Sequence, residues 1–168
     1  DPVLDLGTLP PEARPLAPSE RPDPPALLRL MTLNLAHGRG LGAHQALLGR
    51  DDVAAALVDA GTVIAREAPD FVALQEADGP STWSGGADHV AALATLTDHP
   101  HRVRGDHVGL RGPLRLDYGT AILGRLPLEA PRSQAFDASW RDTKGFVVAT
   151  VRVPALEDRE IDIVSVHL

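Results

Sequence analysis

The sequence predicts an α/β sandwich with mixed, mainly antiparallel sheets. Three observations carry this. Short apolar runs alternate with segments of helical spacing in the first hundred residues. After that the pattern is almost all strand. The fingerprints of parallel, doubly wound sheets are missing: Gly38-Arg39-Gly40-Leu41-Gly42 lacks the G-x-G-x-x-G spacing, and neither a Walker motif nor H-E-x-x-H occurs.

Residues 1–26 hold eight of the fifteen prolines and no periodic apolar pattern. Proline fixes φ and removes amide donors, so this stretch is expected to be an extended tether ahead of the domain. Leu27–Leu35 (LLRLMTLNL) reads as a buried strand. Residues 36–50 read as a loop. Asp51 and Asp52 supply an N-cap and favourable charge for a helix, in which Val53, Ala56, Leu57, Ala60 and Ile64 repeat at helical spacing until Pro69 closes it. Phe71–Gln75 reads as a second buried strand. Ala87–Asp98 reads as a helix through Val90, Leu93 and Leu96, with Asp88 as its cap. Strands follow over His101–Val108, Gly119–Gly124, Phe146–Val153 and Ile161–Leu168. Val147, Ala149, Val151 and Val153 share one face; so do Ile161, Ile163, Ser165 and His167. The charged stretch 157–160 is expected to form the loop between the last two.

The 168 residues are 43% hydrophobic and 23% charged, the composition of a soluble globular chain. No run of eighteen apolar residues exists to span a membrane. The absence of cysteine excludes disulfides, thiolate metal sites and thiol nucleophiles. A net charge of −7 counts against non-specific nucleic-acid binding, which needs a basic surface. Lys144 is the one lysine. A chain beginning at Asp1 with a proline-rich tether and no cysteine suits an exported protein, periplasmic or extracellular, whose leader has been removed; a cytoplasmic protein is the alternative.

Four segments place a polar residue where a bare core would not want one: Thr32-Leu33-Asn34, Ala73-Leu74-Gln75-Glu76, Asp117-Tyr118-Gly119-Thr120 and Val164-Ser165-Val166-His167. A carboxylate at the end of a buried strand costs several kcal/mol unless paired or bound to a cation. Each also has a plainer reading. Glu76 could reach water, Asn34 could cap a turn, and Lys144 could be an ordinary loop residue. His37 and His44 read as solvated loop residues. His89 reads as a packed or exposed helix residue. His99, His101 and His107 lack metal-ligand spacing. Trp83 and Trp140 fall in loops that could line a substrate entrance, touch a membrane surface or simply pack.

The segments MTLNLAHG, PDFVALQEAD, YGTAILGRLPL and IDIVSVHL, in this order, resemble the endonuclease/exonuclease/phosphatase superfamily over residues 29–168. The resemblance implies a DNase I-like α/β sandwich. It also implies that Glu76 ligates a divalent cation, Mg²⁺ with Mn²⁺ as a substitute. Asn34 then orients metal or phosphate, His167 lies close to the scissile phosphate, and Lys144-Gly145 matches a substrate-side pair of sphingomyelinase-like branches. Tyr118 is expected to be structural. These types suit the chemistry, since a hard cation takes oxygen ligands and a histidine can donate to a phosphoryl oxygen.

The family pattern continues to Gly-Asp-x-Asn and Ser-Asp-His segments, which this chain lacks. The chain is therefore expected to be the N-terminal part of a longer protein, or one chain of a cleaved one, and inactive or nearly so alone. Its sheet is expected to expose an apolar inner face and to need the C-terminal half as a partner, or to self-associate. The activity implied is a Mg²⁺-dependent phosphodiesterase acting on a small or lipid-headgroup phosphodiester. A metal-dependent nuclease and a non-catalytic binding module with the same fold are the alternatives.

Overall fold

The computed structural model describes residues 28–40, 49–81, 84, 86–110, 116–136 and 144–168. The proposed tether 1–26, His44, Trp83 and Trp140 lie outside the described residues, as does the side chain of Tyr118.

The strands form two sheets. β1 (Leu30–Asn34), β2 (Phe71–Asp78), β3 (His101–Leu110) and β4 (Leu116–Gly124) make a sheet of order β1-β2-β4-β3. Only β1 and β2 are parallel, because α1 (Arg50–Glu67) crosses between them. β5 (Glu129–Ala135), β6 (Gly145–Val153) and β7 (Arg159–His167) make an antiparallel sheet of order β5-β6-β7. α2 (His89–Leu96) links β2 to β3.

The alternation of side chains along each strand separates two cores. Val72, Leu74, Ala121 and Leu123 point to the helices and pack with Val53, Leu57, Ile64, Val90 and Leu93. Phe71 and Ile122 point the other way, into the second sheet, against Val147, Ala149, Val151, Val153 and Ile163. The order is thus helices, first sheet, second sheet. The face expected on β6 is the buried one, and Ile163 and Ser165 of β7 point into the same layer.

Several expectations need correction. Gly49, not Asp51 or Asp52, is the N-cap of α1; Asp52 lies in the first turn and accepts the Gly49 amide at 2.8 Å. The buried stripe of α1 runs through Val53, Ala54, Leu57, Gly61, Ile64 and Ala65, leaving Ala56 and Ala60 on its flank. Asp88 does cap α2, accepting the Ala91 amide at 2.9 Å. β5 was not expected. It carries Pro131, a bulge and an almost wholly exposed set of side chains, so it is an edge strand with no alternation to read. Only Glu157 and Asp158 of the charged stretch form the turn, both left-handed; Arg159 and Glu160 already belong to β7.

The first sheet does not expose its inner apolar face, because β5, β6 and β7 cover it. Exposed apolar side chains lie instead along the open edges β1 and β7: Leu30 at 62%, Val164 at 51% and Val166 at 43%. Between these edges runs a groove of about 280 Å³ whose mainly apolar lining also includes Thr32 and Asp162. Among the described residues no helix is long and apolar enough to cross a membrane.

Candidate active site

The ends of β1, β2 and β7 converge at one end of the sandwich. β1 delivers Asn34, which pairs in register with Gln75. The Gln75 amide group then stitches three strands together. It exchanges hydrogen bonds with Thr32 of β1 and donates to the Ser165 hydroxyl of β7 at 3.2 Å, while that hydroxyl donates to the Leu74 carbonyl at 2.8 Å. Ser165 is two residues from His167, so this stitch fixes where His167 stands relative to Glu76.

Glu76 stands on a bulge. The pairing of β2 with β4 shifts register between Leu74 and Ala77, and Glu76 has φ +50°. A left-handed glutamate costs on the order of 1–3 kcal/mol, and bulges of this kind re-aim a side chain. Ala36 (φ +47°) and His37 (φ +57°) share that strain in the short 3₁₀ turn Ala36–Gly38 beside it. Three neighbouring non-glycine residues thus share a left-handed backbone at this end of the fold.

Three of the four expected site residues come together. Asn34 Nδ2 donates to Glu76 Oε1 at 3.0 Å, and its Oδ1 accepts the Ala36 amide at 2.8 Å. Asn34 therefore both caps the turn and orients the glutamate, with its oxygen already engaged. His167 Nε2 lies 3.5 Å from Glu76 Oε1. The Glu76 and His167 side chains keep 19% and 23% exposure, so a substrate can reach them. Lys144 is exposed and directly precedes Gly145, the register partner of His167. It is beside the site, and no hydrogen bond to Asn34, Glu76 or His167 holds it there.

Two residues of the constellation escaped sequence reading. Asp78 is wholly buried, and its Oδ1 accepts from His37 Nδ1 at 2.8 Å. His37 is therefore not a solvated loop residue: its Nε2 faces Glu76 Oε2 at 3.4 Å, with the side chain 18% exposed. Both lie within the segments already singled out, three residues past Asn34 and two past Glu76. A strand period of two should place residues 76 and 78 on one face, and that was the available signal. His99 and His107 are structural by contrast. His99 is buried against Thr97 and the Pro69 carbonyl, and His107 is paired with Thr120 at 2.8 Å.

His89 supports this cluster from α2. It is buried, and its Nδ1 accepts the Asp78 amide at 3.3 Å. Gly38 makes this packing possible. It has φ +73°, and a Cβ there would meet the His89 ring and Val53. Burial holds the His89 pKa below its ordinary value; Asp78 and Asp88 pull it up, while His37 and Arg104 add to the lowering. The native state thus keeps the ring neutral, whereas the unfolded chain takes up a proton near the ordinary value of about 6.5. Stability is complete above that value and falls as the pH drops through it towards the folded pKa. The melting temperature is expected to decline from pH 7 to pH 5, and His89→Gln to flatten that decline. Melting curves of both proteins across this range check it; parallel profiles would exclude His89 as the cause.

The donor set suits a hard divalent cation held with few protein ligands. Glu76 offers a partly exposed carboxylate that Asn34 orients through a hydrogen bond. Among the described residues no group of three or more His, Asp or Glu forms a closed metal cage. Such a cation would keep water or substrate oxygens in its remaining positions, as Mg²⁺ does.

Solved structures with this architecture are known. An endonuclease/exonuclease/phosphatase from Beutenbergia cavernae matches with a TM-score of 0.61 at 22% identity, over 84% of this chain and 38% of its own. An endonuclease/exonuclease/phosphatase family protein from Leptotrichia buccalis matches with a TM-score of 0.54 at 19% identity, over 84% of this chain and 54% of its own. Sphingomyelinase C from Streptomyces griseocarneus matches with a TM-score of 0.50 at 18% identity, over 83% of this chain and 48% of its own. The chain thus spans 38% to 54% of the length of these proteins. No protein-family model and no curated protein matches it. With its two face-to-face sheets and its helices outside, the chain has the DNase I-like fold of the endonuclease/exonuclease/phosphatase proteins.

Proposed function

We propose that this chain carries the cation-binding part of a metal-dependent phosphoester hydrolase, a phosphodiesterase acting on a small or lipid-headgroup phosphodiester. The observation that carries the reading is Glu76: a strained, partly exposed carboxylate at a bulge, oriented by Asn34 and faced by His167. The fold likeness to endonuclease/exonuclease/phosphatase proteins and to a sphingomyelinase C supports it. The net charge of −7 favours a small diester over DNA, whose binding needs a basic surface.

Glu76 would hold Mg²⁺, or Mn²⁺ in its place. When bound, the cation polarises a phosphoryl oxygen and offsets the charge that builds up during displacement. Asn34 keeps the Glu76 carboxylate aimed through its Nδ2. The imidazole of His167, standing over Glu76, can donate a hydrogen bond to a non-bridging oxygen of the same phosphate. Lys144 adds a point charge at the rim.

The partner proposed for the open edges of β1 and β7 is the C-terminal half of the same domain. It would pair with those strands, cover Leu30, Val164 and Val166, and bring the remaining groups for attack. The setting proposed is outside the cytoplasm, with access to a membrane surface.

The test uses the protein with its complete domain. Hydrolysis of sphingomyelin vesicles and of bis(p-nitrophenyl) phosphate is measured with Mg²⁺ and with excess chelator. Cleavage of a diester that stops on chelation is expected. Equal rates in chelator, or no cleavage of either diester, would overturn the reading.

A further inference from the structure

Asp78 and His37 form a pair that the proposed chemistry does not yet use. A carboxylate buried this completely is costly without a partner, and among the described residues the His37 ring hydrogen-bonds it. A carboxylate oxygen is an acceptor, so His37 Nδ1 carries the proton of this 2.8 Å bond. With that proton on Nδ1, the other ring nitrogen, Nε2, is the one turned to Glu76 Oε2, at 3.4 Å. A cation seated beside this pair could take Nε2 and Oε2 as adjacent ligands.

The arrangement is that of a metal-binding histidine. Such a ring donates its other nitrogen to a carboxylate, which fixes both tautomer and orientation. Here the carboxylate is buried Asp78, and the ring is further fixed by a backbone at φ +57°. Gly38 and His89 hold the turn from behind. So much local strain on one imidazole is hard to assign to packing, since the ring stays partly exposed.

We propose that His37 Nε2 is a nitrogen ligand of the cation held by Glu76, with Asp78 as the residue that positions it. The inference rests on the reading of Glu76 as a cation ligand. Its chemical consequence is a mixed nitrogen and oxygen site. Imidazole favours first-row transition metals, so Mn²⁺ binds more tightly than Mg²⁺.

The test is pulsed electron paramagnetic resonance on the purified protein loaded with Mn²⁺, read alongside the Mn²⁺ affinity. The expected result is a ¹⁴N coupling from imidazole that is lost in His37→Gln and kept in His167→Gln. Asp78→Asn preserves bulk and is expected to weaken Mn²⁺ binding by about 10- to 100-fold. It serves as the second variant should His37→Gln misfold by circular dichroism. Bound Mn²⁺ without nitrogen coupling would mean that Nε2 bears a proton and faces Glu76 as a donor; this overturns the proposal alone. So would coupling that survives His37→Gln, or unchanged affinity in Asp78→Asn. Failure to bind Mn²⁺ at all overturns the reading of Glu76 as well.

Discussion

On the proposed phosphodiesterase reading, replacing Glu76 with glutamine in the protein with its complete domain is expected to lower diester hydrolysis by about 10³-fold while leaving the fold intact. Glutamine keeps the size of the side chain and an oxygen that can accept from Asn34 Nδ2. It removes the charge that attracts the cation. Losing about 4 kcal/mol of transition-state stabilisation accounts for a fall of this size. Stability should barely move, because the Glu76 side chain is partly solvated and its neighbours are two histidines and an asparagine, not a sealed core. A melting temperature within about 2 °C of wild type is expected. Rates and melting curves on the same preparation separate the two effects. A variant keeping more than a tenth of the activity would remove Glu76 from the site, and a collapse of stability would recast it as a structural residue.

Gly119→Ala has the largest expected effect on folding. Gly119 lies in β4 at the centre of the first sheet, opposite Ala77 on β2 and Asp106 on β3. A Cβ there would collide with the Gly105 backbone carbonyl and press on the His107 ring. The obstacle is backbone in a paired strand, which cannot rotate away as a side chain would. Overpacking of this kind costs about 3 kcal/mol or more. For a chain of this size that lowers the melting temperature by roughly 6–12 °C. Urea unfolding measures it directly. A loss under 1 kcal/mol would mean that β3 and β4 part more easily than this packing allows. The glycine in the Tyr118-Gly119 segment is thus accounted for by close approach of strands, with no contact to the site residues required.

Much of the fold was legible in the sequence because it is written in short-range periodicity. The alternation in Phe146–Val153 showed which face of β6 is buried, and Asp88 announced the start of α2. β5 was not legible. An edge strand exposed along its length has no buried face to mark it, and Pro131 argued against a strand. The cap of α1 was misplaced by two to three residues because Asp51, Asp52 and Gly49 all carry N-terminal signals. Only backbone geometry separates them.

The sequence by itself determined the layered α/β class, the cysteine-free and acidic character of the chain, and the candidacy of Asn34, Glu76 and His167. Each follows from composition, local pattern or motif order. The tertiary structure decided how those residues meet. A one-residue bulge turns Glu76 to a left-handed conformation, and pairing of Gln75 with Ser165, 90 positions away, sets His167 beside it. It also decided the placement of His37. In sequence His37 is a histidine in a glycine-rich loop; in space a buried carboxylate 41 residues away holds its ring towards Glu76. Contacts between distant segments depend on register, bulges and sheet packing. No local pattern encodes those, and so the chemistry of this site could be read only from the folded chain.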